Sequence, residues 1–163
     1  MTDDVRREMV QLLPRLRRFA YAITGSAEKG DDLVQATCER ALSRAELWQP
    51  GTRLDSWMFR IAQNLWRDRL RSEKRANYAD APPEEMEIAG TDGRQVMDAR
   101  IALAQVREAV TKLPEEQRVL VALVCVDGVS YRQAASILEV PIGTVMSRLA
   151  RARRTLSVLM GED

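Results

Sequence analysis

The chain has 163 residues, of which 45% are hydrophobic and 30% charged, with a net charge of +1; this composition suits one mid-sized or two small globular domains. It contains no histidine, so the commonest general base and transition-metal ligand is missing, and neither a catalytic residue nor a metal site is expected. No apolar run approaches the ~18–20 residues of a membrane span, and the opening MTDDVRREMVQLLPRLRR puts acids before bases with no apolar stretch, so no membrane contact of its own, no secretory signal and a cytoplasmic location are expected.

The first predicted element spans residues 5–23, with Met9, Leu12, Leu13, Leu16, Phe19, Ala20 and Ile23 at helical spacing. Gly25-Ser26 ends it. A second helix is expected over 33–47, with Leu33, Ala36, Thr37, Ala41 and Leu42 on one side, and Pro50-Gly51 breaks the chain again. The third covers 54–74, starting near Asp55 or Ser56. Its predicted core stripe is Leu54, Trp57, Met58, Ile61, Ala62 and Leu65. The segment YADAPPEEMEIAGTDGR, 78–94, has two prolines, two glycines and five acids and lacks helical periodicity, so it reads as a linker. Beyond it, Val96, Ala99, Leu103, Val106 and Val110 predict a helix over 95–112. Pro114 and the acids after it start another, which ends at Asp127-Gly128. Ser130 with Gln133 forms a capping box; a short helix over 131–138, a turn over 139–143 and a longer helix to about 159 follow. Cys38 and Cys125 sit in apolar-periodic stretches and read as buried, reduced thiols. The expected fold is all-α: two small helical domains, 1–77 and 95–163, joined by an acidic flexible linker, with a helix-turn-helix in the second.

Charge is segregated along this chain. Residues 1–77 carry 15 basic and 11 acidic residues, 78–94 carry one and five, and 95–163 carry nine and eight, giving +4, −4 and +1. Within SWMFRIAQNLWRDRLRSEKR, 56–75, one helix face bears Arg60, Gln63, Asn64, Arg67, Arg71, Lys74 and Arg75 against only Asp68 and Glu73. Such a cationic, amide-tipped ridge suits phosphates and base edges better than it suits an ordinary solvated face. Trp66 falls off the predicted core stripe and reads as an exposed ring able to stack on an unpaired base. The last helix turns Val145, Leu149, Ala152 and Leu156 inward and Thr144, Ser147, Arg148, Arg151 and Arg154 outward. Short hydroxyls and guanidiniums at the start of a recognition helix are what major-groove reading needs. The helix beginning DDLVQATCER has Asp31, Asp32, Gln35 and Glu39 outward, which by itself is only a solvated helix start.

Taken in order, GDDLVQATCERAL, LDSWMFRIAQNLWRDRLR and LPEEQRVLVALVCVDGVSYRQAASILEVPIGTVMSRLARARRTL closely resemble a bacterial RNA polymerase sigma factor of the extracytoplasmic-function (ECF) type. The resemblance covers nearly everything except the linker. It implies that the first unit is sigma domain 2, which reads and melts the promoter −10 element, and the last is sigma domain 4, which reads the −35 element. It implies core polymerase contact through Asp32, Gln35 and Glu39, base reading by Asn64, and −35 reading around Thr144, Met146, Ser147, Arg148, Ala150 and Arg151. The chain departs from the family pattern at Ala36, where an acid is usual, at Cys38, where an aromatic or apolar residue is usual, and at Met146, where Arg is frequent. The implied partners are core RNA polymerase, promoter DNA and an anti-sigma factor. No cofactor and no small-molecule substrate are implied. The acidic linker is expected to mimic nucleic acid in a basic polymerase channel.

Two other readings are open at this level. A helix-turn-helix regulator acting without polymerase would need a ligand or dimer domain in place of the second basic helix. An enzyme would need a phosphate loop or paired carboxylates on a rigid element, and Glu84-Glu85 in a linker is a poor place for acid–base work.

Overall fold

The computed structural model describes residues 3–76 and 94–161, and every regular element among them is helical. Helix α1, Asp3–Thr24, buries Met9, Leu12, Leu16, Phe19, Ala20 and Ile23, the set its spacing predicts. Its chain continues through Pro14, although proline removes one backbone donor there. Gly25, at φ +72°, reverses the chain in a conformation that favours glycine.

Helix α2, Ala27–Ser43, begins six residues earlier than its apolar pattern suggests. The reason is a cap: the Ser26 hydroxyl accepts from the Lys29 amide at 3.3 Å, and Glu28 sits in the first turn. A single 3₁₀ turn, Ala45–Leu47, finishes this stretch. Helix α3, Leu54–Ala76, buries Leu54, Asp55, Met58, Phe59, Ala62 and Trp66. This corrects the expected stripe. Trp57, Ile61 and Leu65 are only half-buried, while Phe59 stands edge-on to Phe19 with ring centroids 5.1 Å apart. Two neighbours, α2 with α1 on one side and α6 on the other, widen and rotate the buried arc beyond the single stripe that periodicity detects.

Helix α4 is Arg94–Thr111 and α5 is Glu115–Leu120, which runs on as a π-helix, Val121–Asp127, to Gly128 at φ +84°. Cys125 lies in the π-helical stretch and is exposed, against the buried thiol expected. The wider winding carries each following side chain off the α-helical phase from which its burial was read. Helix α6, Tyr131–Leu138, has the predicted capping box: Ser130 Oγ accepts from the Gln133 amide and Gln133 Oε1 accepts from the Ser130 amide, each at 3.0 Å. A turn through Glu139, at φ 56°, leads into α7, Ile142–Leu159. Val145, Leu149 and Ala152 of α7 are fully buried, so α6 and α7 form the expected helix-turn-helix. The expected linker, 78–94, lies outside the described residues apart from Arg94, which opens α4.

The two halves pack on each other. Helix α1 lies against α4, α5 and the π-helical segment, and α3 lies against α6. Their buried side chains form one continuous cluster, from Met9 to Ala152.

Candidate nucleic-acid interface

The α3 ridge emerges from the opposite side of a helix whose core face is fixed by Met58, Phe59, Ala62 and Trp66. Gln63, Asn64 and Arg67 are half-buried and Arg71 and Lys74 exposed. Asn64 Oδ1 accepts from Arg67 Nη2 at 3.1 Å, which engages the amide oxygen and leaves donation to the NH₂ group. Trp66 is not on this surface. It is 4% exposed, its indole N–H has no hydrogen-bond partner among the described residues, and Arg69 stands 6.0 Å from its ring centroid. The stacking role expected of Trp66 is therefore withdrawn: a ring in the core cannot meet a base.

On α7, Met146 is 50% exposed, Ser147, Arg151 and Arg154 are exposed, and Thr144 and Arg148 are half-buried. The Ser147 hydroxyl donates to Thr144 O at 3.1 Å. Arg148 Nε lies 3.8 Å from Glu116 of α5. Asp32, Gln35 and Glu39 share an exposed face of α2, where Gln35 Nε2 donates to Glu39 Oε1 at 3.3 Å. The α3 and α7 surfaces meet: Gln63, Arg67, Arg71, Lys74 and Arg148 line one groove of about 340 Å³, with Glu115 and Glu116.

Two arginines at the junction of the halves, and the partner of a third, escaped sequence reasoning. Arg15 Nη2 donates to Asp127 Oδ2 at 2.8 Å and to Asp55 Oδ2 at 3.1 Å, and Arg15 Nε donates to Asp127 Oδ1 at 3.1 Å. The guanidinium also sits 5.4 Å from the Phe59 ring centroid. Arg53 forks onto Asp55 at 3.1 and 2.9 Å, and the Ser56 amide donates to Asp55 at 2.8 Å. Burial pushes the Asp55 carboxyl up, but these donors outweigh it and bring its pKa down to about 2. The Asp127 hydrogen bond, against a smaller cost of burial, holds Arg15 above its usual value.

The second is Arg118 of α5. It donates to Val110 O at 3.2 Å, Leu113 O at 3.2 Å and Thr111 O, tying down the end of α4, and crosses to Ile23 O of α1 at 3.1 Å. A cation here satisfies carbonyls that the ends of α1 and α4 leave unpaired. Burial lowers its pKa, opposed by Glu115. The third is Arg60 of the ridge, whose Nη2 donates to Ser136 O of α6 at 2.9 Å and whose Nε lies 3.8 Å from Glu139. Periodicity points to Arg60 as a surface cation but is silent on a partner 76 residues away.

Among the described residues no group of carboxylates and cysteines could hold a metal ion, and no helix is long and apolar enough to cross a membrane. The fold and this surface define a helical protein with a helix-turn-helix and a second basic helix. Two family profiles match the chain, the Sigma2 domain of PhyR over residues 9–63 and Sigma-70, region 4 over residues 103–156. It is 37% identical to the ECF RNA polymerase sigma factor EcfG of Rhodopseudomonas palustris, across 100% of this chain and 88% of that protein. It is 29% identical to ECF RNA polymerase sigma factor SigW of Bacillus subtilis, across 87% of this chain and 81% of the other. In structure it resembles the sigma factor RpoE of Bartonella quintana, solved in complex with the anti-sigma factor NepR, with a TM-score of 0.79, 28% identity and 99% of both chains covered. CnrH, solved with the cytosolic domain of CnrY, gives 0.71 at 25% identity, over 96% of this chain and 87% of that one. The chain belongs to the ECF RNA polymerase sigma factors.

Proposed function

We propose that the chain is an alternative sigma factor that binds core RNA polymerase and directs it to specific promoters, as a cytoplasmic initiation factor and not as an enzyme. The observation that carries this reading is the 37% identity to an ECF sigma factor along the whole chain. Residues 1–77 act as sigma domain 2 and 95–163 as domain 4, with 78–94 linking them. Asp32, Gln35 and Glu39 on the exposed face of α2 contact the polymerase. Asn64 reads a base of the −10 element, and Arg60, Gln63, Arg67, Arg71 and Lys74 hold the single strand by its phosphates. Opening DNA costs about 1.4 kcal/mol per base-pair step in lost stacking. Capturing an extruded base and neutralising the strand's charge offsets it. Thr144, Met146, Ser147, Arg148, Arg151 and Arg154 face the −35 element. An anti-sigma factor is a further partner, a reading supported by two structural relatives solved with NepR and CnrY.

The test is transcription in vitro with sigma-free core polymerase and a genomic fragment library. Discrete new start sites that share two upstream elements are the expected result. No core binding and no starts from folded protein would sink the proposal. Asn64→Ala should reduce open-complex formation by a base contact worth about 1–3 kcal/mol. Arg151→Ala should weaken −35 binding and leave polymerase binding intact; a variant that loses polymerase would mean the surface is misplaced.

A further inference from the structure

The outward arc of α7 is laid out in rows of residues three or four apart in sequence. Thr144, Arg148 and Arg151 form the row on one flank, and Gly143, Ser147 and Ala150 form the row along the middle. Ile142 and Met146 form the row on the other flank, where they are 42% and 50% exposed. Val145, Leu149 and Ala152 are fully buried and fix this orientation, so the fold itself holds the two apolar side chains outward. The middle row is small. Nothing lies within 4 Å of the place a Cβ on Gly143 would take, and Ser147 turns its hydroxyl back onto Thr144 O at 3.1 Å. The helix can therefore approach a groove floor closely, with both flanks in reach of base edges.

The two flanks differ in chemistry. The cation that continues the apolar row, Arg153, is already engaged: its Nη2 donates to Tyr131 Oη of α6 at 3.0 Å. A single exposed apolar side chain is ordinary, but two adjacent ones at the start of a recognition helix restrict what that flank can read. In the major groove guanine presents N7 and O6, adenine N7 and its N6 amine, and cytosine its N4 amine. An aliphatic or thioether side chain laid over these groups strips their water and makes no bond in return. Thymine alone adds an apolar edge, its C5-methyl group. Ile142 is stiff at χ1, while Met146 is unbranched and adapts its shape. Together they make a fixed wall and a conforming cover for one methyl group.

We propose that Met146, backed by Ile142, is a specificity-determining residue that reads the C5-methyl group of a thymine in the −35 element. This rests on the sigma-factor reading for the existence of that element. The preference of this chain at the base pair under Met146 is A·T, with the thymine methyl against the apolar flank. An arginine at the same place would instead donate to guanine O6 and N7 and would select G·C.

The experiment uses the full chain with core polymerase on a promoter taken from the start-site mapping. Its −35 region is randomised, and the templates that the holoenzyme binds are sequenced. The parent chain should select thymine at one position, and Met146→Arg should shift that position to guanine by about tenfold. Deoxyuridine in place of that thymine removes only the methyl group. It should weaken binding of the parent holoenzyme by about fourfold, the worth of one buried methyl. Met146→Ala should abolish the difference between thymine and uracil. Equal binding of the two bases by the parent chain overturns the proposal, as does a Met146→Arg selection identical to the parent one. A parent preference for any other base at the position that Met146→Arg changes also overturns it. Circular dichroism checks that each variant keeps its helicity; if Met146→Arg does not, the uracil comparison between the parent chain and Met146→Ala decides alone. Absent start sites with the parent chain mark the failure of the sigma-factor reading itself, which takes the −35 assignment with it and shows before any variant is made.

Discussion

Asp55 is held first by Arg53, then by the Ser56 amide and by Arg15, an ordinary-looking arginine on an amphipathic helix. An isolated aspartate has a pKa of ~3.9, whereas Asp55 is held down to about 2 by Arg53, the Ser56 amide and Arg15, after burial has pushed the other way. A carboxyl depressed in the folded state stabilises the fold above the unfolded pKa and loses that contribution as pH falls through the folded one. The shift corresponds to about 2 kcal/mol. Urea unfolding of Asp55→Asn should therefore show a loss of about that size at pH 7. The gap to the parent chain should shrink between about pH 4 and pH 2. A gap that stays constant down to pH 2 would mean that Asp55 acts through shape and not charge.

At the level of elements, the α1–α2 hairpin depends on a glycine inside a helix. Replacing an interior helical glycine by alanine ordinarily gains about 1 kcal/mol. At Gly30 the added Cβ would stand 2.2 Å from Tyr21 Cδ1 and 3.3 Å from Tyr21 Cα. The Tyr21 hydroxyl is bonded to Asp31 at 2.5 Å, so the ring is not free to swing aside. Overpacking of this kind costs about 1–3 kcal/mol and outweighs the propensity gain. Gly30→Ala should destabilise by about 1–2 kcal/mol in thermal unfolding. In a Tyr21→Ala background the same change should become neutral or stabilising. A loss of equal size in both backgrounds would place the strain elsewhere.

The whole molecule shares one continuous core across its two halves, and all three tryptophans lie in the first half, at 48, 57 and 66. Leu149, 1% exposed in the second half, offers a test of coupling. Leu149→Ala removes about 2–5 kcal/mol from the helix-turn-helix. The tryptophan fluorescence midpoint should fall together with the loss of helicity, because each half buries part of the other's surface. An unchanged fluorescence midpoint would show that the halves unfold independently and that the interface contributes little.

The sequence by itself determined the helices among the described residues, the breaks between them, the capping box at Ser130, the helix-turn-helix and the segregation of charge. All of these rest on interactions within a few residues, which periodicity and capping chemistry report directly. It also placed Asp32, Gln35 and Glu39 on one exposed face of α2 and the ridge cations of α3 on one side. Tertiary structure decided the phase of α3, with Trp66 taken into the core, and the exposure of Cys125 through the π-helical turn. It also decided the pairing of Arg15 with Asp127 across 112 residues and of Arg118 with Ile23 across 95. Local patterns cannot see these choices. A helix with one neighbour buries one stripe, but α3 is clasped from two sides, and which surface arginine finds a buried aspartate depends on how two distant segments dock.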